Sequence, residues 1–161
     1  MKPEAPVEIV QAVTPADWRV ARSLVEEYAA GLGVDLCFQN FAHEMDHIAK
    51  AYSPPAGAML LAREGDAAIG CVGLRPFGDA GDCEMKRMYV APAGRGRGTG
   101  RRLAEAVIAA ARAAGYSRML LDTLPHLKAA RELYATLGFR PIPEYRHNPV
   151  PGTVFLALDL R

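Results

Sequence analysis

The chain has 161 residues, of which half are hydrophobic and 23% are charged, and its formal net charge is +1. This composition is typical of a globular protein and excludes wholesale disorder, and the length predicts a single domain over residues 1–161. The small net charge gives no global reason to expect nucleic acid or an anionic membrane as a partner. Three cysteines without C-x-x-C spacing, in a chain without a long apolar run, predict a cytoplasmic protein with free thiols.

Hydrophobic periodicity and turn residues predict the secondary structure in chain order. Thr14 and Pro15 mark the start of the first helix as its N-cap and first helical residue. A tight turn at 64–66 joins two strands. Strands and helices do not alternate strictly, which favours an α/β fold with a mixed sheet and helices on both faces. The predicted strands cover 7–13, 58–63, 68–74, 83–90, 119–122 and 153–160, and the predicted helices cover 15–31, 38–51, 101–114 and 128–137.

The segment RGRGTG, Arg95–Gly100, lies between a predicted strand and a predicted helix. Glycines let a backbone approach a ligand closely, and the free N–H groups at a helix start form an anion site suited to phosphate. The spacing fits neither the dinucleotide motif G-x-G-x-x-G nor the Walker A loop, which ends in Gly-Lys-Ser/Thr. A flexible basic loop without a ligand is the alternative interpretation.

Two spaced motifs carry a resemblance to a known family. Arg95-x-x-Gly98-x-Gly100 follows the strand EMKRMYVAP (84–92), and AARELYATLGF (129–139) comes later in the chain. They resemble the R/Q-x-x-G-x-G/A signature and the A-x-x-L-Y-x-x-x-G-F block of the GNAT superfamily of acyl-CoA N-acyltransferases. The resemblance implies the GNAT fold, a central, mostly antiparallel sheet with helices on both faces. It also implies N-acetyltransferase activity with acetyl-CoA as co-substrate and no metal.

The resemblance also implies the roles of individual residues. In the family, the glycine signature holds the CoA pyrophosphate and the preceding strand pairs with the pantetheine arm. Val90 N–H would stabilise an oxyanion, Tyr134 would protonate the departing thiolate, and Glu84 would take a proton from the amine. Alternatively, Tyr134 is an amphipathic core residue, and Glu84 is solvated or pairs with Lys86 or Arg87. The predicted CoA-binding residues are Met88, Val90, Arg95, Gly96, Arg97, Gly98, Thr99, Gly100 and Arg101.

The same resemblance places the acceptor between segment 31–47 and the late segment 142–152. The implied acceptor is a primary amine of a small molecule, an amino acid or a peptide, which attacks directly in a ternary complex. Arg146 would suit an acceptor that carries a carboxylate. Many family members have asparagine where this chain has Leu127, and His126 is a candidate replacement. Neither nucleic acid nor membrane is expected as a partner, and a homodimer stays open.

Two other functions stay open at this point. HEMDH (43–47) fits H-E-x-x-H, in which two histidines bind zinc and a glutamate polarises water. Asp46 next to the second histidine, and the lack of a clear third ligand, argue against a zinc hydrolase. In an acetyltransferase, Glu44 and Asp46 would face a cationic amine or lie on a solvated helix face. A non-catalytic acyl-CoA sensor would bind CoA in the same way and differ only in turnover.

Overall fold

The computed structural model describes residues 5–37 and 40–161. Within these ranges one sheet contains the strands β1 (Val7–Gln11), β2 (Ala58–Glu64), β3 (Ala67–Phe77), β4 (Asp82–Val90), β5 (Arg118–Thr123), β6 (Arg140–Pro141) and β7 (Val154–Asp159). The helices are α1 (Pro15–Gly31), α2 (Phe41–Asp46), α3 (Ile48–Ala51), α4 (Thr99–Ala113) and α5 (Lys128–Thr136). Across the same two ranges, no helix is both long enough and apolar enough to cross a membrane.

The strand order in the sheet is β1-β2-β3-β4-β5-β7-β6. Strands β4 and β5 are parallel, because α4 carries the chain back between them, and the other neighbouring pairs are antiparallel. The predicted mixed α/β sheet with mostly antiparallel pairing is therefore confirmed.

Helices cover both faces of the sheet. On one face, Leu103 and Val107 of α4 are fully buried in a cluster that includes Leu60 of β2. On the other face, Val25 of α1 packs in a second cluster with Leu61, the next residue of β2. Successive strand residues point to opposite faces, so a strand covered on both sides becomes a continuous apolar run. This explains why β2 gave a strand signal without polar alternation.

A capping box fixes the start of α1. Thr14 Oγ1 accepts a hydrogen bond from the Asp17 N–H, and Asp17 Oδ2 accepts one from the Thr14 N–H, both at 3.1 Å. Such a cap contributes about 1 kcal/mol to stability. The predicted N-cap and the proline at the first helical position are confirmed.

The helix predicted over 38–51 is wrong as a continuous element. Residues 38–39 lie outside the described residues, and the remainder forms α2 and α3, which are separated at His47 with φ −129° and ψ 32°. His47 Nδ1 lies 3.0 Å from His43 O, so the histidine ring forms a hydrogen bond with a carbonyl near the end of α2. The two histidines of HEMDH therefore do not lie on one regular helix.

Other boundaries shift by one to three residues. β1 ends at Gln11, because the chain must leave the sheet before the cap at Thr14. α4 begins at Thr99 instead of residue 101, directly after a left-handed residue at Gly98. The two-residue strand β6, which pairs with β7, was not predicted because it is too short to show a period.

Candidate active site

Strands β4 and β5 separate after three residue pairs. Their last pair is Glu84 with Leu120. Beyond it, β4 continues to pair with β3 as far as Val90, and β5 continues to pair with β7 as far as Thr123. The two parallel strands thus open a gap in the centre of the sheet.

An irregularity in β4 lies beside this gap. The register against β3 shifts between Cys71 and Gly73, so that β4 contains one extra residue there. Arg87, in the shifted stretch, has φ 59°, a left-handed conformation that is uncommon for a residue with a side chain. Its side chain is buried and forms an ion pair with Glu44, which compensates for the backbone cost.

The amide of Val90 is directed into the gap. The next N–H, of Ala91, donates to Ile69 O at 2.8 Å, and successive residues of an antiparallel strand direct their N–H groups to opposite sides. The Val90 N–H therefore points away from β3. The carbonyl of Val90 accepts a hydrogen bond from Arg95 Nε at 3.0 Å, which fixes the loop against the strand edge.

The glycine-rich segment presents an open anion site at the start of α4. Gly96 and Gly98 have φ of 78° and 74°, and a Cβ built on either would meet no atom of the described residues within 4 Å. Gly98 is the N-cap and has no side-chain cap, so the first N–H groups of the helix lack that partner. Thr99 Oγ1 is buried and has no hydrogen-bond partner within the described residues. These free donors suit a phosphate group.

A groove of about 690 Å³ runs from this segment along β4. It is lined by seven of the nine predicted CoA-binding residues, namely Met88, Val90, Arg95, Gly96, Gly98, Thr99 and Gly100. The other two point elsewhere. Arg97 pairs with Glu64, and Arg101 Nη2 donates to Thr136 Oγ1 at 2.6 Å, so neither side chain lines the groove.

Tyr134 lies at the inner end of the gap. Its ring packs edge-on against Phe139 with centroids 5.6 Å apart. Burial raises the pKa of Tyr134, and the neighbouring Tyr28 adds to the rise, so the phenol keeps its proton at neutral pH. The side chain lines a cavity of about 60 Å³ between the two strands, together with Lys86 and Asp122.

Glu84 is fully buried and both of its carboxylate oxygens are engaged. Arg75 Nη2 donates to Oε1 at 3.1 Å, and the Tyr145 hydroxyl donates to Oε2 at 2.7 Å. Arg146 Nε lies 3.1 Å from Oε2 as a second ion-pair partner. Glu84 thus pairs with Arg75 and Arg146. Arg87, which the sequence suggested as a partner, pairs with Glu44 instead.

The family model described as the acetyltransferase (GNAT) family matches residues 21–139. The chain belongs to this family. An uncharacterized N-acetyltransferase of Schizosaccharomyces pombe is 42% identical over 99% of this chain and 98% of its own length. The uncharacterized N-acetyltransferase YjgM of Escherichia coli is 34% identical over 87% of this chain and 85% of its own. A GNAT acetyltransferase from Staphylococcus aureus has the same fold, with a TM-score of 0.81, 19% identity, and coverage of 97% and 100%.

Membership makes the protein an acetyltransferase that takes its acyl group from acetyl-CoA, and the resemblance of the two sequence motifs is confirmed. A GNAT acetyltransferase acts on an amine acceptor, so the non-catalytic sensor is not supported. The residues present also fit CoA, because no side chain among the described residues caps the first N–H groups of α4, which can donate to a pyrophosphate.

The HEMDH segment of this acetyltransferase has an electrostatic role. Glu44, the residue that would polarise a zinc-bound water, accepts hydrogen bonds from Arg87 and from the Tyr52 hydroxyl at 2.8 Å. His43 and His47 stack on each other with ring centroids 4.3 Å apart. In residues 5–37 and 40–161, no three histidine, cysteine or acidic side chains form a group suited to a metal.

The late segment 142–152 is attached to the sheet beside the gap. Asn148 Nδ2 donates to Asp122 Oδ2 at 3.0 Å, next to the contacts that Tyr145 and Arg146 make with Glu84. The sequence indicated that this segment is rich in polar groups, but it did not indicate their partners.

Sequence reasoning missed two residues at the gap, Lys86 and Asp122. Their side chains are 3% and 5% exposed, and Lys86 Nζ lies 3.9 Å from Asp122 Oδ1. A lysine between Met85 and Arg87 looks like a surface residue of a strand edge. The only available signal was that this charged residue stands in the middle of a strand, where the neighbouring residues are buried.

Proposed function

We propose that this GNAT protein transfers an acetyl group from acetyl-CoA to a primary amine of a small molecule, an amino acid or a peptide by direct attack in a ternary complex. One observation carries this proposal: the groove at the glycine-rich segment adjoins the cavity at Tyr134. The residues that line both are Tyr28, Leu32, Met88, Leu127 and Ala130. A phosphate-anchored ligand in the groove can thus reach the gap.

Two groups of the chain would act on the reacting atoms. The Val90 N–H, directed into the gap, would donate to the thioester oxygen as negative charge develops there, which is worth about 3 kcal/mol for one such donor. The acceptor nitrogen forms a bond to the thioester carbon, and the C–S bond then breaks. Tyr134, which burial keeps protonated, would supply the proton to the sulfur.

The proposed acceptor side is the face of the gap that carries the buried charges. The 60 Å³ cavity is lined by Leu32 and Leu36, which lie in the segment after α1, and by Asn148 of the late segment. Both segments predicted to admit the acceptor therefore contribute to one cavity. Glu84 lies behind it, and its predicted role as a base stays a prediction.

The proposal is tested by two measurements on the purified protein. Acetyl-CoA should raise the melting temperature, because a ligand that binds only the folded state stabilises it by mass action. A panel of primary amines, including free amino acids and short peptides, should then be screened for CoA release with a thiol reagent. Binding of acetyl-CoA without release of CoA above the hydrolysis rate for any amine would contradict the proposed transfer.

A further inference from the structure

We propose that Lys86 is the residue that accepts the proton given up by the acceptor amine. This role rests on the acetyl transfer proposed above and adds a catalytic residue to it. Lys86 lies on β4 two residues after Glu84, the last residue that pairs with β5. It is thus the first side chain on its face of β4 after the strands separate.

The cavity in the gap brings Lys86 to the side of the site opposite the proton donor. Lys86 and Tyr134 line the same 60 Å³ space, one from β4 and the other from α5. A volume of this size holds the end of a small amine or one to two water molecules. Asn148 and Leu36, from the two acceptor segments, line it as well. An amine that enters between these segments would meet Lys86 directly.

The other ionisable groups at the gap are less able to take a proton. Arg87 has no accessible neutral form, and it is held by Glu44. Glu84 does not line the cavity, and its two oxygens are occupied by Arg75, Tyr145 and Arg146. Asp122 accepts a hydrogen bond from Asn148 through Oδ2 and faces Lys86 through Oδ1. This carboxylate therefore orients Lys86 and stabilises its protonated form.

The surroundings of Lys86 favour its neutral form at moderately alkaline pH. Burial lowers the pKa of Lys86 to about 8, and the positive charges of Arg87 and Arg146 add to the decrease, whereas the carboxylates oppose it. A lysine in water has a pKa of about 10.4 and would be almost fully protonated. The charged and titratable groups that face it are Glu84 and Arg87 on β4, Asp122 on β5, Arg146 in the late segment, Tyr28 on α1 and Tyr134 on α5.

The proton balance of the step is complete without another reactant. Neutral Lys86 Nζ takes one proton from the acceptor ammonium, and the freed nitrogen lone pair forms the C–N bond. As the C–S bond breaks, the thiolate takes the phenolic proton of Tyr134. The second proton, lost as the amide forms, returns to the Tyr134 oxygen. Lys86 then releases its proton to solvent, so the net products are the amide, CoA and one proton.

Variants at Lys86 distinguish a residue that accepts a proton from one that only supplies a positive charge. Lys86→Met keeps an unbranched side chain that is one atom shorter and cannot accept a proton, and Lys86→Arg keeps the charge but never loses it. With an amine found in the panel, wild-type turnover should rise with pH through about 8. This rise should be the same for two acceptors with different amine pKa. Both variants should lose it and lower turnover about 10²- to 10⁴-fold, with acetyl-CoA binding retained. Lys50→Met, at an exposed lysine of α3, is the matched control and should change neither.

A titration of the protein itself tests the same residue without an acceptor. The chain has four lysines, so protein labelled with ¹³C at lysine gives four side-chain signals, and the Lys86→Met spectrum assigns one of them. That signal should titrate near 8, well below the value of about 10.4 for a lysine in water. If all four signals titrate near 10.4, the proposal is overturned, and this result needs no assignment from Lys86→Met.

The remaining outcomes also decide the question. Full activity of Lys86→Arg would show that a cation is needed, not a base, and would overturn the proposal. The same holds if Glu84→Gln or Asp122→Asn abolishes the pH-dependent rise while Lys86→Met retains it. If wild-type protein releases no CoA with any amine, the acetyl transfer itself fails and the role of Lys86 fails with it. If the wild-type protein is active and Lys86→Met is equally active, only the role of Lys86 is refuted, and the acetyl transfer stands.

Discussion

Arg87 and Glu44 form a bidentate ion pair in the interior, with Nε–Oε2 and Nη2–Oε1 distances of 2.9 and 3.0 Å. The two side chains are 3% and 5% exposed. The pair connects α2 to the shifted stretch of β4 at the edge of the gap. It therefore ties the segment beside the acceptor entrance to the strand that carries Val90.

Removal of the carboxylate should strongly destabilise the protein. Glu44→Gln leaves the buried guanidinium of Arg87 without its counter-charge, which typically costs about 3–5 kcal/mol of the free energy of unfolding. Chemical denaturation at pH 7 measures this loss. The double variant Glu44→Gln/Arg87→Met should recover much of it, since neither charge is then buried alone. Asp46→Asn, on an exposed acid of the same helix, is the matched control and should change stability by less than about 0.5 kcal/mol.

The ion pair also makes the free energy of unfolding depend on pH in the acidic range. Burial acts to raise the pKa of Glu44, but the hydrogen bonds and charge of Arg87, the Tyr52 hydroxyl and the charge of Arg75 together outweigh it, and the pKa lies below its ordinary value. A carboxyl whose pKa is depressed on folding stabilises the protein above its unfolded pKa, and this contribution disappears as pH falls through the folded pKa. Wild-type protein should therefore lose more stability than Glu44→Gln as the pH falls below about 4. Equal slopes for the two proteins would contradict this.

Gly98 and Gly115 provide a matched pair for the CoA-binding loop. Both have positive φ, of 74° and 87°, and in the described part of the chain neither has a neighbour within 4 Å of a built Cβ. A glutamate at either position costs about 1–2 kcal/mol of backbone strain. Only Gly98 lies at the start of α4, where a negative charge would repel the pyrophosphate and fill its space. We expect Gly98→Glu to abolish the rise in melting temperature with acetyl-CoA and Gly115→Glu to retain it. A shift retained by Gly98→Glu would place the pyrophosphate elsewhere.

The elements that sequence predicted well are those with a strong local signal. Gly98 precedes an amphipathic helix and has the left-handed conformation that glycine favours, so the loop could be recognised from its residue types alone. The partners of the buried charged side chains could not be recognised from residue types. Arg87 and Glu44 are 43 residues apart, and Tyr145 and Glu84 are 61 apart. Contacts at such separations leave no period in the sequence. The single domain, the homodimer and the cytoplasmic location stay predictions.

Tyr134→Phe isolates the phenolic proton. The substitution keeps the ring that packs on Phe139, so the fold and the CoA groove should be preserved. Turnover should fall about 10²- to 10⁴-fold if the hydroxyl is the proton donor. Acetyl-CoA affinity, measured by calorimetry, should stay within about threefold of wild type, a change of less than about 0.7 kcal/mol. Tyr116→Phe, which removes a phenol outside the two site cavities, should change neither quantity. Parallel losses of affinity and turnover in Tyr134→Phe would instead indicate a structural role.

The three thiols should react at very different rates. Burial raises the pKa of Cys71 and of Cys83 to about 12, whereas Cys37 is exposed. The thiolate is the reactive form, so a thiol with a pKa near 12 is almost inert at neutral pH. Ellman's reagent should therefore detect one fast thiol in native protein and three in guanidinium chloride. The Cys37→Ser variant should show no fast thiol. Two fast thiols in the native wild type would contradict the burial of this part of the sheet.

Tyr145 tests whether the late segment controls access of the acceptor. Its hydroxyl donates to Glu84 Oε2 at 2.7 Å, and its ring packs edge-on against Phe77 with centroids 5.0 Å apart. Tyr145→Phe keeps the ring and releases one anchor of the segment, because the buried carboxylate loses a donor. We expect a loss of about 1–3 kcal/mol in stability and a higher acceptor KM, with acetyl-CoA affinity unchanged.

Tyr52→Phe is the control that separates anchoring from stability. Its hydroxyl donates to the other buried carboxylate, Glu44, at 2.8 Å, so it loses a comparable hydrogen bond. Tyr52 does not line the cavity at Tyr134, and Glu44 belongs to the α2 side of the site. Tyr52→Phe should lose about as much stability as Tyr145→Phe and keep the wild-type acceptor KM. If both variants raise the KM equally, the effect reflects general loosening of the buried charges, and the late segment has no specific part in holding the acceptor.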